Sequence, residues 1–128
     1  DTTLESIQKR LKDVMGATPL VTVIIAAWNE EFNIVQCLNS LSYSKTDLPF
    51  DIIVVNNNST DRTQQVLDKL GVQSYFQPVQ GVGPSRALGQ QHAKGQYILS
   101  ADADCLYPPQ WIDLMTKALM KPGYAFVY

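Results

Sequence analysis

The stretch "LVTVIIAA", residues 20–27, is almost continuously apolar and rich in β-branched side chains. Such a run predicts a strand that is buried on both faces, as strands inside parallel sheets are. Similar runs follow at "FDIIVV" (50–55) and "QYILSA" (96–101), with shorter ones at "VQSYF" (72–76) and "YAFVY" (124–128). The chain is therefore predicted to build a buried, mostly parallel sheet of five strands.

Helical segments alternate with these strands. They are "EEFNIVQCLNSL" (30–41), "NSTDRTQQVLDKL" (58–70), "GPSRALGQQHAKG" (83–95) and "PPQWIDLMTKALM" (108–120), the third with Gly95 as its stop. Strands alternating with helices through short connections predict a three-layer α/β/α, Rossmann-like fold. In such folds ligands bind at the carboxyl ends of the strands, near the point where the strand order reverses.

A leading helix is predicted over residues 2–15, with Thr2 and Glu5 as a capping box and Gly16 as its end. We treat residues 1–16 as an N-terminal amphipathic helix and residues 17–128 as the ligand-binding domain. The helix either packs on that domain or links it to a preceding segment. A membrane-surface role is a lesser alternative, because the helix is short and has no aromatic anchor.

Composition narrows the class of protein. The chain has 128 residues, 45% of them apolar and 17% charged, with a net charge of −2. It fits one globular domain, and its acidity disfavours nucleic-acid binding. No apolar run approaches the roughly 20 residues that span a bilayer. Cys37, Cys105 and His92 do not form a zinc-binding pattern, and we expect reduced thiols and a cytoplasmic location.

Polar side chains follow three of the predicted strands. Trp28 and Glu30 follow the first strand, an asparagine-rich segment (56–61) follows the second, and Asp102 and Asp104 follow the fourth. Two carboxylates so close together repel each other unless a cation lies between them. Hard oxygen ligands suit Mg²⁺ or Mn²⁺, so the sequence predicts a divalent cation at this aspartate pair.

These segments carry a family resemblance. "VTVIIAAWNEE", "DIIVVNNNSTDRT" and "GVGPSRALGQQHAKGQYILSADAD" together resemble the successive signatures of the family 2 glycosyltransferases, over roughly residues 20–128. A lone Asp-x-Asp is weak, but several segments in the right order are specific. The resemblance implies the GT-A fold, cut short here after the fifth strand, and the nucleotide-sugar-binding half of an enzyme.

The resemblance also implies site roles. Trp28 stands near the nucleobase, and Asn57 replaces the family acid that accepts a hydrogen bond from uracil. Arg86 matches an arginine near the base and diphosphate, while Asp104, with Asp102, matches the metal-binding motif. The implied nucleotide-sugar-binding residues are Ala26, Trp28, Glu30, Asn57, Arg86, Asp102 and Asp104.

The implied reaction transfers a sugar, with inversion, from a nucleotide-diphosphate donor to a sugar or lipid acceptor. The general base is expected beyond Tyr128, so the isolated chain is expected to be inactive. Further expectations are a product such as a cell-envelope polysaccharide, a full-length protein at the cytoplasmic face of a membrane, and self-association through the truncated sheet edge.

Two other functions stay open from the residues alone. A non-catalytic nucleotide-binding module would have the same fold without a reaction. A nucleotidyltransferase would need a glycine-rich loop after the first strand, and "AAWNEE" (26–31) contains no glycine. "GVGPSR" (81–86) does not follow the first strand and lacks the third glycine of a dinucleotide-binding loop.

Overall fold

The computed structural model describes residues 3–121 of the chain. Strands and helices alternate, as the sequence predicts. The strands are β1 (Val21–Ala27), β2 (Phe50–Asn56), β3 (Gln73–Phe76) and β4 (Tyr97–Asp102). The helices are α1 (Leu4–Val14), α2 (Asn33–Leu41), α3 (Thr63–Leu70), α4 (Val82–His92) and α5 (Trp111–Leu119). The predicted fifth strand lies outside the described residues.

The described sheet is parallel throughout, with the order β3-β2-β1-β4. This confirms the prediction drawn from the apolar runs. The chain adds β2 and β3 on one side of β1 and then returns to add β4 on the other side. The strand order therefore reverses at β1, and a ligand crevice is expected between the carboxyl ends of β1 and β4.

The two faces of the sheet bury different amounts of apolar surface. On one face, alternate residues of β1 such as Val23 and Ile25 join a large core with α1, α2, α3 and α5. On the other face, Ile24, Ile53 and Val55 pack with Leu88 of α4. Helices thus cover both faces, which confirms the three-layer prediction. The large core fixes the helices that begin at the carboxyl edge of the sheet.

Helix α1 is part of this core, since Ile7 and Leu11 are buried in it. The predicted capping box is wrong, because the helix begins at Leu4 and its N-cap is Thr3. The Thr3 side chain accepts a hydrogen bond from Ser6 N at 3.3 Å. Thr2 lies outside the described residues.

The predicted role of Gly95 as a helix stop is also wrong. Helix α4 ends at His92, and its C-cap Ala93 is already extended. Gly95 instead lies against β1, where an added Cβ would come within 2.5 Å of Thr22 N. Its own N–H donates to Thr22 Oγ1 at 2.9 Å. A glycine is needed at this position because two backbones approach closely there.

No helix within residues 3–121 combines the length and apolarity that a bilayer crossing requires.

Candidate functional site

The carboxyl ends of three strands meet at one edge of the sheet. In the strand register Ala26 pairs with Asp102, and Ala27 pairs with Asn56. The segments that follow β1, β2 and β4 therefore start side by side. Parallel pairing thus brings the predicted residues Ala26, Asn57 and Asp102 to one edge.

The segment after β1 is tied to the segment after β2 by its own backbone. Asn29 N donates to Ser59 Oγ at 3.0 Å, and Glu30 N donates to Thr63 Oγ1 at 3.0 Å. Glu31 N donates to the Asp61 carboxylate at 3.3 Å. Three successive N–H groups are thus held by side chains of the neighbouring segment, which fixes the path of residues 28–31.

Asp61 is the centre of this network. Besides Glu31 N, its carboxylate accepts hydrogen bonds from the Thr63 N–H at 3.0 Å and the Thr63 hydroxyl at 2.5 Å. Burial alone would raise the pKa of Asp61, but the Thr63 and Glu31 hydrogen bonds outweigh it and lower the pKa from the ordinary value of an aspartate. The ionised carboxylate therefore joins the β1 segment to the start of α3.

Two asparagines give these segments their sharp turns. Asn29 and Asn58 have φ angles of 52° and 58°, in the left-handed region that asparagine tolerates better than most residues. Asn58 lies in the asparagine-rich segment (56–61) that the sequence places at this edge, whereas the sequence does not single out Asn29. Asn29 Oδ1 also accepts a hydrogen bond from Thr60 N at 2.8 Å. Each asparagine thus fills a turn at the rim of the site.

Asn57 holds the loop that precedes α4. Its Nδ2 donates to the carbonyl oxygens of Gln77 and Val79 at 3.1 and 2.8 Å, and its Oδ1 accepts from Gly81 N at 2.9 Å. Gln80 Nε2 donates to the Asn57 carbonyl oxygen at 2.7 Å. The residue is 5% exposed. Both amide hydrogens are used within the protein, and one acceptor direction on Oδ1 remains for a ligand.

The aspartate pair lies on a turn at the end of β4. Asp102 and Asp104 are both exposed, while Ala103 between them is buried. Asp102 N donates to the Tyr107 hydroxyl oxygen at 2.7 Å, and Cys105 N donates to the Asp102 carbonyl oxygen at 3.1 Å. The backbone is fixed by these bonds, so the two carboxylates extend to solvent from a defined turn.

Both cysteines lie beside this turn. The Cys37 thiol donates to the Asp102 carbonyl oxygen at 3.5 Å, and the Cys105 thiol donates to Asp104 Oδ1 at 3.7 Å. Burial, with the nearby acids, raises the pKa of Cys37 to about 12. Burial and the adjacent carboxylates also raise the pKa of Cys105. Both groups are therefore neutral thiols at physiological pH, and both are free cysteines.

The remaining predicted residues differ in their surroundings. Trp28 is 56% exposed at the rim, as a side chain that stacks on a ligand has to be. Glu30 Oε2 is buried and has no hydrogen-bond partner among the described residues. Arg86 is exposed on α4, and no hydrogen bond or ion pair within residues 3–121 links it to the other predicted residues.

The donor set suits a cation that is shared with a ligand. The described residues contain no cluster of three or more acidic, histidine or cysteine side chains that could enclose a metal by themselves. Mg²⁺ is commonly held by one or two carboxylates together with substrate phosphates rather than by an all-protein cage. Asp102 and Asp104 fit that arrangement, with a diphosphate supplying the other oxygens.

Sequence reasoning missed the residues that support this site from behind. Thr63, Ser59 and Tyr107 each bind a backbone group of a rim segment through a hydroxyl. Hydroxyl residues at turns are common, so nothing in the sequence marks their partners, which lie about thirty residues away for Ser59 and Thr63. Only the fold brings these groups together.

Comparison with protein-family models gave a match to glycosyl transferase family 2 over residues 22–128. Two curated relatives are similar over most of this chain. The poly(ribitol-phosphate) β-N-acetylglucosaminyltransferase TarS of Staphylococcus aureus is 31% identical over 115 residues, 83% of this chain and 18% of that protein. The hyaluronan synthase of Pasteurella multocida is 30% identical over 112 residues, 84% of this chain and 11% of that protein.

Two solved structures share the fold. S. aureus TarS in complex with UDP-GlcNAc matches with a TM-score of 0.66 and 27% identity, over 77% of this chain and 30% of that one. The mannosyltransferase PcManGT of Pyrobaculum calidifontis, in complex with GDP-Man and Mn²⁺, matches with a TM-score of 0.74 and 24% identity, over 93% and 39%. The chain thus spans less than half the length of these proteins.

Proposed function

The chain belongs to glycosyl transferase family 2, and from that premise we propose that it forms the donor-binding half of a glycosyltransferase. A nucleotide-diphosphate sugar lies at the carboxyl edge of the sheet. The observation that carries this proposal is the convergence of three rim segments where the strand order reverses. Residues 17–128 form the binding domain, and residues 1–16 contribute the helix that packs on it.

Asp102 and Asp104 hold a divalent cation, Mg²⁺ or Mn²⁺, together with the donor diphosphate. When bound, the cation offsets the negative charge that builds on the diphosphate as the sugar leaves. Asp104 is the direct ligand, and Asp102 lies nearer the ribose or the waters of the cation. The neutral Cys37 and Cys105 thiols add no charge to this turn.

The other predicted residues bind the nucleoside and sugar. Trp28 stacks on the base, and the free acceptor direction of Asn57 Oδ1 faces a ring N–H. Glu30 supports the proposal because its buried, unpartnered Oε2 can accept a hydrogen bond from a hydroxyl group of the nucleotide sugar. Ala26 lets the ligand approach β1 closely, and Arg86 reaches the base or diphosphate from α4.

The proposed reaction inverts the anomeric centre. A carboxylate takes the proton of an acceptor hydroxyl, whose oxygen attacks the anomeric carbon while the nucleoside diphosphate leaves. We place that carboxylate, and the acceptor site, in sequence that follows Tyr128. The name of one relative, hyaluronan synthase, supports a polysaccharide product. We further propose a sugar or lipid acceptor, a cell-envelope polysaccharide as the product, and a full-length protein at the cytoplasmic membrane face.

Calorimetric titration with UDP and GDP, in the presence and absence of Mn²⁺, tests the donor site. We expect binding to be weak without the cation and to strengthen at least about tenfold with it, which is ~1.4 kcal/mol. Asp104→Asn should remove the cation-dependent part, and Asp13→Asn on the exposed surface of α1 should keep it. Equal affinity in both buffers would rule out the metal role.

A further inference from the structure

A groove lies outside the donor site, between the starts of α1 and α2 and one face of α3. It has a volume of about 590 Å³, within the range of small-molecule sites. Leu4 of α1, Val35 of α2 and Val66 of α3 line it with apolar surface. Phe32 stands at its edge and is 78% exposed. We call this concavity the α2–α3 groove.

One wall of the groove is cationic. Arg62, Gln65, Val66 and Lys69 recur at helical spacing on α3, so they share one face. No acidic side chain within residues 3–121 lies at salt-bridge distance from Arg62 or Lys69. The chain as a whole has a net charge of −2. The groove therefore places two cations without an acidic partner beside an apolar floor, in a chain whose net charge is negative.

The apolar floor and the cationic wall together favour one class of ligand. An apolar floor favours an alkyl or aromatic body, because its burial removes apolar surface from water. Guanidinium and ammonium groups favour a carboxylate or phosphate, which accepts charge-assisted hydrogen bonds. Glu31, the one acidic residue lining the groove, disfavours a second anionic group. We propose that the α2–α3 groove binds an amphiphile with one anionic head group, which lies at Arg62 and Lys69 while the apolar body lies over Phe32, Val35 and Val66.

This site is distinct from the donor site but adjoins it. Glu31 is the last residue of the rim segment 28–31 and Phe32 follows it, while Arg62 follows Asp61, the residue that ties the two segments together. A ligand in the groove would therefore contact the same two segments, 28–31 and 56–61, that border the proposed donor site. The proposal does not depend on the donor function, since it rests on the groove alone.

Octyl phosphate below its micelle concentration is a suitable probe, titrated calorimetrically into the 128-residue chain. We expect saturable binding that inorganic phosphate does not reproduce at equal concentration. Octyl glucoside and octylammonium should bind more weakly than octyl phosphate. If inorganic phosphate or octyl glucoside binds as well as octyl phosphate, the combined apolar and cationic recognition is refuted. Octanoate distinguishes a carboxylate ligand from a phosphate ligand.

Two variants separate the parts of the site. Arg62→Gln with Lys69→Gln should weaken octyl phosphate roughly fivefold, the size expected for two exposed charge contacts. The matched control, Lys94→Gln with Lys121→Gln, removes the same charge outside the groove and should bind like the original chain. Phe32→Ser, at an exposed position, should weaken octyl phosphate without changing the folded circular-dichroism spectrum. Unchanged affinity in the Arg62 and Lys69 variant, or an equal loss in the control, would overturn the proposal.

Discussion

At the residue scale, the Asn57 side chain has two roles, since it holds the loop before α4 and is proposed to bind the ligand. Its Nδ2 holds two carbonyl oxygens of the loop before α4. Asn57→Asp removes both N–H donors and places a carboxylate against those carbonyl oxygens. We therefore expect the free energy of unfolding to fall by about 1–3 kcal/mol. Urea denaturation measures this. Asn58→Asp, the same change at an exposed neighbour, should stay within about 0.5 kcal/mol.

The same Asn57→Asp variant tests base recognition. A carboxylate only accepts hydrogen bonds, which suits the uracil ring N–H. We expect the affinity for UDP to rise relative to GDP and CDP when all three are titrated with Mn²⁺. An unchanged ranking of the three nucleotides, in a variant that is still folded, would mean that Asn57 serves only the loop.

Asp61 gives the chain a pH-dependent stability of known sign. Its folded-state pKa is lowered, so its contribution is present above the unfolded pKa of about 3.9 and is lost as pH falls through the folded value. Asp61→Asn should therefore lower the free energy of unfolding most at neutral pH, and the difference should shrink in acid. Denaturation at several pH values checks this. A difference that stays constant from pH 7 to pH 3 would contradict the role of the ionised carboxylate.

At this scale the sequence predicts residue types better than their partners. The aspartate pair is visible because paired carboxylates suit a divalent cation, and the asparagine-rich segment (56–61) is visible because asparagine favours turns. The contact from Glu30 N to Thr63 Oγ1 is not visible, because it joins residues 33 positions apart. Nor does the sequence indicate that both amide hydrogens of Asn57 are already used, since that depends on the path of the following loop.

At the scale of elements, the connection between α4 and β4 depends on Gly95. A Cβ at this position would lie 2.5 Å from Thr22 N and 2.6 Å from the Val21 carbonyl carbon, both backbone atoms of β1. Gly95→Ala is therefore expected to destabilise the fold by about 1–3 kcal/mol. The matched control is Gly83→Ala on α4, where nothing lies within 4 Å of the added Cβ. It should change the free energy of unfolding by less than about 0.5 kcal/mol in thermal unfolding, because the added methyl group meets open space while the following Pro84 offsets the usual helical preference of alanine. Equal effects of the two changes would contradict the close approach.

The elements themselves are predictable because each has a strong local signal. Continuous apolar runs with β-branched residues specify β1 and β2, and apolar spacing specifies α2. The ends of helices are harder to predict, because neighbouring residues can compete for the capping position. Thr2 and Thr3 have the same side chain, so the sequence does not show which of them is the N-cap. In the structure the N-cap is Thr3, in a helix whose Ile7 and Leu11 pack into the core. Gly95 resembles a helix stop until the position of β1 is known.

At the scale of the whole molecule, the chain is expected to bind a donor without transferring its sugar. The proposed site supplies the donor and the cation but no acceptor base, a group that contributes roughly 10²–10⁴-fold to such reactions. A transfer assay with UDP-GlcNAc and a panel of sugar and lipid acceptors should show no product from the 128-residue chain. Turnover with any acceptor would place the base within these residues.

Self-association is a separate expectation at the same scale. The last strand that the sequence predicts, residues 124–128, lies outside the described residues, and we expect its free edge to offer unpaired backbone groups to another chain. Sedimentation over a concentration series should show dimers or larger species. A strictly monomeric chain at every concentration would contradict the exposed-edge argument.

The central claim is that a nucleotide and a cation meet at the carboxyl ends of β1 and β4. Paramagnetic broadening of amide NMR signals by Mn²⁺ in the presence of UDP, against a Mg²⁺ reference, tests it most directly. We expect the signals of residues 102–105 and 28–30 to broaden first, while those of Gly95 and Thr22 at the opposite edge stay sharp. The pattern should vanish in Asp102→Asn with Asp104→Asn. Broadening centred at the opposite edge, or unchanged in that variant, would contradict the account.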